Sequence, residues 1–198
     1  FIISLNHSMT FNTNFGSIII EGGNIIETPF FGGFNKPRLQ WVDWDGDDDD
    51  DIFLLDEDGS IKYYCNHGCF ENNCSFELIT SNFQGIHNIS WFYIEDFDQD
   101  GYFEMITQNP EDLNSMIYYE NNFSEDLDVL IPIGSILDEE YNLVGSDPVM
   151  IPTFADIDAD GDFDFFTGNT VGTVTFYENL GLVDNIPTFE FITNFWQE

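Results

Sequence analysis

Asp156-Ile-Asp158-Ala-Asp160-Gly-Asp162-Phe-Asp164 places a carboxylate at every second position of a nine-residue stretch. Two further stretches, Asp43-Trp-Asp45-Gly-Asp47-Asp-Asp49-Asp-Asp51 and Asp96-Phe-Asp98-Gln-Asp100-Gly-Tyr102-Phe-Glu104, repeat the acids at positions 1, 3, 5 and 9. A hard cation such as Ca²⁺ takes six to eight oxygens at about 2.3–2.6 Å, and alternate carboxylates on a tightly turning loop supply them. One such run is compatible with a solvated acidic turn. Three, each followed by similar sequence, define a repeat that binds metal.

The similarity extends beyond the acids. Each loop leads into an apolar stretch: Ile52-Phe-Leu-Leu55, Met105-Ile106 and Phe165-Phe166. An aromatic pair then recurs, in Tyr63-Tyr64-Cys-Asn66, Tyr118-Tyr119-Glu-Asn121 and Phe176-Tyr177-Glu-Asn179. Phe76-Glu-Leu-Ile-Thr80 and Phe189-Glu-Phe-Ile-Thr193 follow in two of the three. Short runs rich in Phe, Ile, Tyr and Thr between turn signals such as Asp58-Gly59 and Leu180-Gly181 read as strands. Helical periodicity is nowhere sustained. The expected organisation is a single all-β domain over 1–198, with loop-bearing units at 43–95, 96–155 and 156–198. Residues 1–42 are expected to form a degenerate fourth unit, with strands at Ser17–Ile20 and Glu27–Phe31. Residues 125 to 150 read as an irregular acidic insertion.

Charge narrows the function further. The chain of 198 residues carries 38 Asp and Glu against 3 Lys and Arg, a formal net charge of −35. Phosphate backbones are bound through Lys and Arg, so nucleic acid is excluded as a partner, and an anionic membrane surface is excluded for the same reason. No apolar run reaches the roughly 20 residues that span a bilayer. The histidines His7, His67 and His87 stand in unrelated contexts, and no nucleophile elbow or phosphate loop is present. No catalytic residues are assigned. The aromatic pairs are expected mainly as core, because alternation on a strand turns one of each pair inward.

Cys65, Cys69 and Cys74 cluster around one turn, and a Cys65–Cys74 bridge is the expected pairing, with the third thiol left over. A zinc site built from these cysteines and His67 is the less favoured reading. Disulfide chemistry suits an extracellular setting, as do Asn-x-Ser sequons at Asn6, Asn73, Asn88 and Asn122, which would make the chain a glycoprotein.

Pro152-Thr-Phe-Ala-Asp156 through Asp164, continuing to Phe176-Tyr-Glu-Asn-Leu-Gly181, resembles the FG-GAP/VCBS repeats of integrin-type calcium-loop β-propellers. The resemblance runs over roughly residues 37 to 198. It implies a β-propeller-like array of about four blades, three of them with Asp-rich calcium loops, and about three Ca²⁺ ions. The metal residues it implies are Asp43, Asp45, Asp47, Asp49 and Asp51 in loop 1, Asp96, Asp98, Asp100, Tyr102 and Glu104 in loop 2, and Asp156, Asp158, Asp160, Asp162 and Asp164 in loop 3. Asp49, Tyr102 and Asp162, at position 7, would contribute backbone carbonyls. Loop 1 departs from the family pattern, since Asp48 stands at position 6 where Gly is usual.

The expected function is that of a non-enzymatic, calcium-stabilised module at the cell surface, serving adhesion, scaffolding or self-assembly. Its partner would be a protein or glycan, and self-association through the uncharged, β-prone residues 1–20 is a further expectation. The alternative is a glycan-binding propeller, accessory to a polysaccharide-degrading enzyme. Five acids and Gly161 make loop 3 the expected strongest site. Asp158→Ala should therefore lose more calcium affinity than Asp45→Ala in calorimetric titrations, and the reverse order would overturn the ranking.

Overall fold

The apolar runs behind the acidic loops become strands buried on both faces, which is why they read as continuous rather than alternating. In the computed structural model, which describes residues 19–21, 24–26, 33–70, 73–122, 129–149 and 151–196, the chain divides into two compact units, Phe1–Gly33 and Phe34–Glu198. In the first unit, β1 (Ile19–Glu21) pairs antiparallel with β2 (Asn24–Ile26). The expected strand Glu27–Phe31 and the N-terminal Phe1–Ile3 lie outside the described residues.

The second unit contains three four-stranded antiparallel sheets. Sheet 1 consists of β3 (Arg38–Val42), β4 (Asp51–Leu55), β5 (Ile61–Phe70) and β6 (Asn73–Thr80), in that spatial order. Sheet 2 runs β7 (Phe92–Glu95), β8 (Glu104–Gln108), β9 (Met116–Asn121) and β10 (Leu130–Ser135). Sheet 3 runs β11 (Thr153–Ala155), β12 (Asp164–Gly168), β13 (Val174–Val183) and β14 (Ile186–Thr193). Every acidic loop joins the first strand of its sheet to the second. The strand preceding each loop therefore belongs to the same sheet as the strand following it. Residues 38–42 thus open sheet 1, and β10 lies within the stretch read as an insertion.

Alternation along the second strands builds the cores between sheets. Phe53 and Leu55 of β4 enter one cluster together with Tyr63, Phe83, Ile94, Met105 and Leu130, which joins sheets 1 and 2. Ile106 of β8 faces the other way, into a cluster with Trp91, Phe97, Phe154, Phe165 and Phe189 that joins sheets 2 and 3. Ile52, Leu54 and Tyr64 form a third cluster on the remaining face of sheet 1. The paired aromatics Tyr63, Tyr64, Tyr118 and Phe176 are buried, so they serve the core as the sequence indicates. Among the described residues, no helix is long and apolar enough to cross a membrane.

Polar contacts register the first strands on one another. The Ile94 amide donates to Gln40 Oε1 at 2.9 Å, and Gln40 Nε2 donates back to the Ile94 carbonyl. The Tyr93 hydroxyl donates to the Phe154 carbonyl at 3.3 Å. At the far end of sheet 3 the β13–β14 turn is made by Asp184 and Asn185, both at positive φ (54° and 64°), as a two-residue hairpin of right-twisting strands requires.

The thiol pairing differs from expectation. Cys65 is a free, buried thiol. The register sets it opposite Glu77 and sets Cys69 opposite Cys74, because the ten-residue β5 carries the strand past Cys65 before the chain turns. Cys65 is therefore too far from the turn to bridge Cys74.

Phe165 is fully buried, with the rings of Phe154, Tyr177 and Phe189 at 5.3, 5.6 and 6.1 Å. Phe165→Ala should cost about 3–5 kcal/mol in denaturant unfolding, whereas Val171→Ala, at a position 83% exposed, should stay within about 0.5 kcal/mol. Equal costs at the two positions would contradict the packing described.

Candidate metal centres

Backbone amides wrap around the first carboxylate of each loop, from positions 5 and 6 in loops 1 and 2 and from positions 4 and 6 in loop 3. Asp43 accepts from the amides of Asp47 and Asp48 at 3.0 and 3.1 Å. Asp96 accepts from Asp100 and Gly101, both at 3.1 Å. Asp156 accepts from Ala159 at 2.7 Å and from Gly161 at 3.1 Å. The position-5 carboxylate then takes the position-7 amide, from Asp49, Tyr102 and Asp162 onto Asp47, Asp100 and Asp160. Asx turns of this kind fold the chain on itself without any secondary structure.

This winding requires the left-handed region at positions 4 and 6. Gly46, Gln99 and Ala159 have φ of 74°, 60° and 65°, and Asp48, Gly101 and Gly161 have φ of 72°, 93° and 101°. Asp48 thus adopts the conformation that glycine takes in the other two loops. Asp tolerates it better than most residues because its short polar side chain bonds locally, so loop 1 keeps its shape despite the departure at position 6.

The result is three clusters of crowded oxygens. One carboxylate oxygen from each of Asp43, Asp45 and Asp47 lies within 4.8 Å of the others, and the same holds for Asp156, Asp158 and Asp160. In loop 2 the trio is Asp96, Asp98 and Glu104. The carboxylates of Asp49, Asp51, Asp100, Asp162 and Asp164 are not part of these three trios. Asp51 instead groups with Asp45 and Cys65.

The position-9 acid explains that difference. Asp51 takes the Trp44 amide at 3.2 Å and the Asn66 amide at 2.7 Å, one on each oxygen. Asp164 takes the Ile157 and Asn179 amides at 3.3 and 2.8 Å, again one on each oxygen. Glu104 takes only the Phe97 amide, on Oε2 at 3.0 Å. Its Oε1 is buried with no hydrogen-bond partner. The extra methylene carries the glutamate past the position of its aspartate counterparts and into the loop. Burial and the nearby Asp98 push its pKa up to about 8. An oxygen that is buried, unsatisfied and beside two other carboxylates is the donor a hard cation fills, and the site fits calcium on that ground. Asp98, Asp162 and Asp164 are likewise raised, by desolvation first and neighbouring carboxylates among the further causes.

A residue with no metal-binding signature anchors each loop from behind. Asn66, Asn121 and Asn179 donate through Nδ2 to the position-8 carbonyls of Asp50, Phe103 and Phe163 at 3.1, 3.2 and 3.1 Å. The recurring Asn at the end of the aromatic strand is the sequence signal for this clamp. Beside loop 1, the Cys65 thiol donates to Asp45 at 3.3 Å and lies 3.7 Å from His67 Nδ1. Burial, then the Asp45 contact, push its pKa up to about 12, so at neutral pH it is a protonated thiol. Loops 2 and 3 touch directly, Gln99 Nε2 donating to the Gly161 carbonyl at 2.9 Å.

A β-sheet unit whose first two strands are joined by an Asx-wound, acid-lined loop is the class of module the structure defines. Residues 43–107, from the first acid of loop 1 into β8, match the FG-GAP-like repeat family, consistent with the FG-GAP/VCBS resemblance. The matched stretch leaves out loop 3. No curated protein and no solved structure matches the chain.

Glu104 also gives the loops a pH signature. Its folded pKa of about 8 exceeds the ordinary glutamate value of about 4.3, so the metal-free fold binds an extra proton between those values. Metal-free stability should therefore fall as pH rises from about 4.3 to about 8. Calcium binding near pH 7 should release that proton. Titrating calcium into weakly buffered protein should show acidification that Glu104→Gln reduces, and unchanged release in that variant would refute the assignment.

Proposed function

We propose that the chain is a non-enzymatic module of propeller-type blades, held together by about three Ca²⁺ ions and working at the cell surface in adhesion, scaffolding or self-assembly. The observation that carries this reading is the recurrence, in three loops whose carboxylates crowd together, of the position-6 amide on the first acid, the position-7 amide on the position-5 acid and the Asn clamp on the position-8 carbonyl. Such a loop supplies Asp43, Asp45 and Asp47, Asp96, Asp98 and Glu104, or Asp156, Asp158 and Asp160 as first ligands, with position-7 carbonyls added from Asp49, Tyr102 and Asp162. The ion would neutralise charge and tie the loop; it has no reaction to perform. Asp51 and Asp164 give both oxygens to backbone amides. An FG-GAP-like repeat supports the same reading, because repeats of this kind are generally non-enzymatic and typically extracellular. Tyr63, Tyr64, Tyr118 and Phe176 are buried and offer no sugar-stacking surface, which weakens the glycan alternative.

Crowded carboxylates repel, so the binding free energy of the ions becomes folding free energy. Chelation should lower the melting temperature by many degrees and expose residues 96–104 and 156–164 to protease. A melting curve identical in calcium and in chelator would overturn the proposal.

A further inference from the structure

Strand β5 turns a thiol and an imidazole toward loop 1. Residues two apart share one face of a strand, and the register shifts between Asn66 and Cys69, with Gly68 at φ 87°. A bulge of this kind re-aims side chains. Loop 1 rests on it, since a Cβ at Gly68 would meet Asp49 Oδ2 at 3.0 Å. Buried Cys65 Sγ is 3.3 Å from Asp45 Oδ2 and 3.7 Å from His67 Nδ1, and it groups within 4.8 Å with one oxygen each of Asp45 and Asp51. The far side of the imidazole is fixed, because Nε2 lies 2.9 Å from Glu77 Oε2. An ionised carboxylate only accepts, so Nε2 carries the proton and Nδ1 turns its lone pair to the sulfur. One thiol proton therefore faces two acceptors, Asp45 and His67, and cannot serve both. The corresponding residues of the other two units are Glu120 and Asn122, and Glu178 and Leu180, so this donor set belongs to sheet 1.

We propose that Cys65 Sγ, His67 Nδ1 and Asp45 Oδ2 bind a zinc ion, separate from the calcium of loop 1, that ties the loop to β5. A tetrahedral ion with Zn–S of about 2.3 Å and Zn–N of about 2.0–2.1 Å sets sulfur and nitrogen about 3.6 Å apart. The 3.7 Å to His67 and 3.3 Å to Asp45 stand near that value. His67 and Asp45 are exposed side chains with room to swing onto the ion, and buried Cys65 is the fixed point. Glu77 takes the part of the outer carboxylate that orients a zinc-bound histidine. Thiolate and imidazole suit zinc, whereas calcium takes oxygen, so donor type sorts the two ions. Asp45 has two oxygens and serves both, Oδ2 facing the sulfur and Oδ1 being left to the loop. Asp51 adds negative charge but is engaged by the Trp44 and Asn66 amides and by the Tyr63 hydroxyl at 2.8 Å, so water completes the four ligands. On binding, the thiol proton passes to solvent and a sulfur–zinc bond replaces S–H. Cys69 and Cys74 stand opposite each other beyond the bulge and take no part. The site goes beyond the surface-module reading and does not require calcium in loop 1.

The test titrates cobalt(II), then zinc, into the whole chain, kept reduced with a phosphine and in excess calcium. A thiolate-to-cobalt charge-transfer absorption should rise to one equivalent and be displaced by one equivalent of zinc. It should persist in a Cys69→Ser/Cys74→Ser double variant and vanish in Cys65→Ser. Zinc affinity should fall at least tenfold in His67→Gln and in Asp45→Asn. The loss should be smaller in Glu77→Gln, whose amide oxygen still accepts from Nε2. Melting curves report which variants fold, and the exposed His67 and Glu77 keep the test decisive if Cys65→Ser does not. Absence of the charge-transfer absorption, its loss in the double variant, unchanged zinc affinity in folded His67→Gln, or displacement of zinc by calcium would each overturn the site. The calcium reading stands or falls on the melting of zinc-free protein, so the two are judged apart.

Discussion

Three carboxylate oxygens held within 4.8 Å of one another make each loop unfavourable until something cancels their repulsion. That constraint shapes the surrounding chain. Backbone amides partly offset it by converging on Asp43, Asp96 and Asp156, which forces the left-handed turns at positions 4 and 6. Amides carry only partial charge, so they orient the carboxylates without neutralising them. A full positive charge is the remaining requirement, and a hard divalent ion meets it with the geometry already set.

A wound loop needs a fixed floor, and the sheets provide it. The position-9 acid is the first residue of the second strand, and the Asn clamp ends or lies within the third. Both strands are anchored by clusters that run between sheets, with Phe53, Ile106 and Phe165 fully buried. Loop order therefore draws on packing that is distant from the oxygens. Conversely, a loop that opens would release the Trp44, Phe97 or Ile157 amide from the position-9 carboxylate, at the point where the loop enters its sheet. A bound metal would act on the same segment as the hydrogen bonds and the core, which would couple local binding to the stability of a whole sheet.

Much of this was legible from the residues, in places where local chemistry decides the structure. Acid spacing located the loops, and continuous apolar runs located the doubly buried strands. The paired aromatics were correctly assigned to the core. What escaped has physical reasons. Strand β10 was hidden because Pro132 interrupts its alternation and the register shifts between Pro132 and Gly134. The first strand of each sheet was hard to assign because the loop separates it from its partners, so sequence repeats and structural units begin at different residues. Cys65 misled because proximity in sequence says nothing of register; the length of β5 decides which residues stand opposite one another, and Cys65 faces Glu77. The Asn clamp was visible as a recurring letter, but its role depends on a carbonyl across the sheet, which no linear pattern reports.

Glu104 shows how one methylene can divide labour among otherwise equivalent loops. Asp51 and Asp164 each give both oxygens to backbone amides, so they act first as loop closures and have less capacity left for an ion. Glu104 spends one oxygen on that closure and keeps the other inside the loop. The metal-free loop 2 then carries a buried unsatisfied acceptor that loops 1 and 3 lack, a cost of about 1–3 kcal/mol for such a group. A ligand gains most where the empty site is least satisfied, because filling it removes a penalty as well as adding a bond. Acid count alone favours loop 3, whereas the desolvated glutamate favours loop 2. The two effects act on different quantities: the first sets the attraction between ion and loop, and the second sets how far the empty loop destabilises its sheet. Loop 2 belongs to the middle sheet, whose faces contribute to the clusters on both sides, so an ion there would steady packing in both directions.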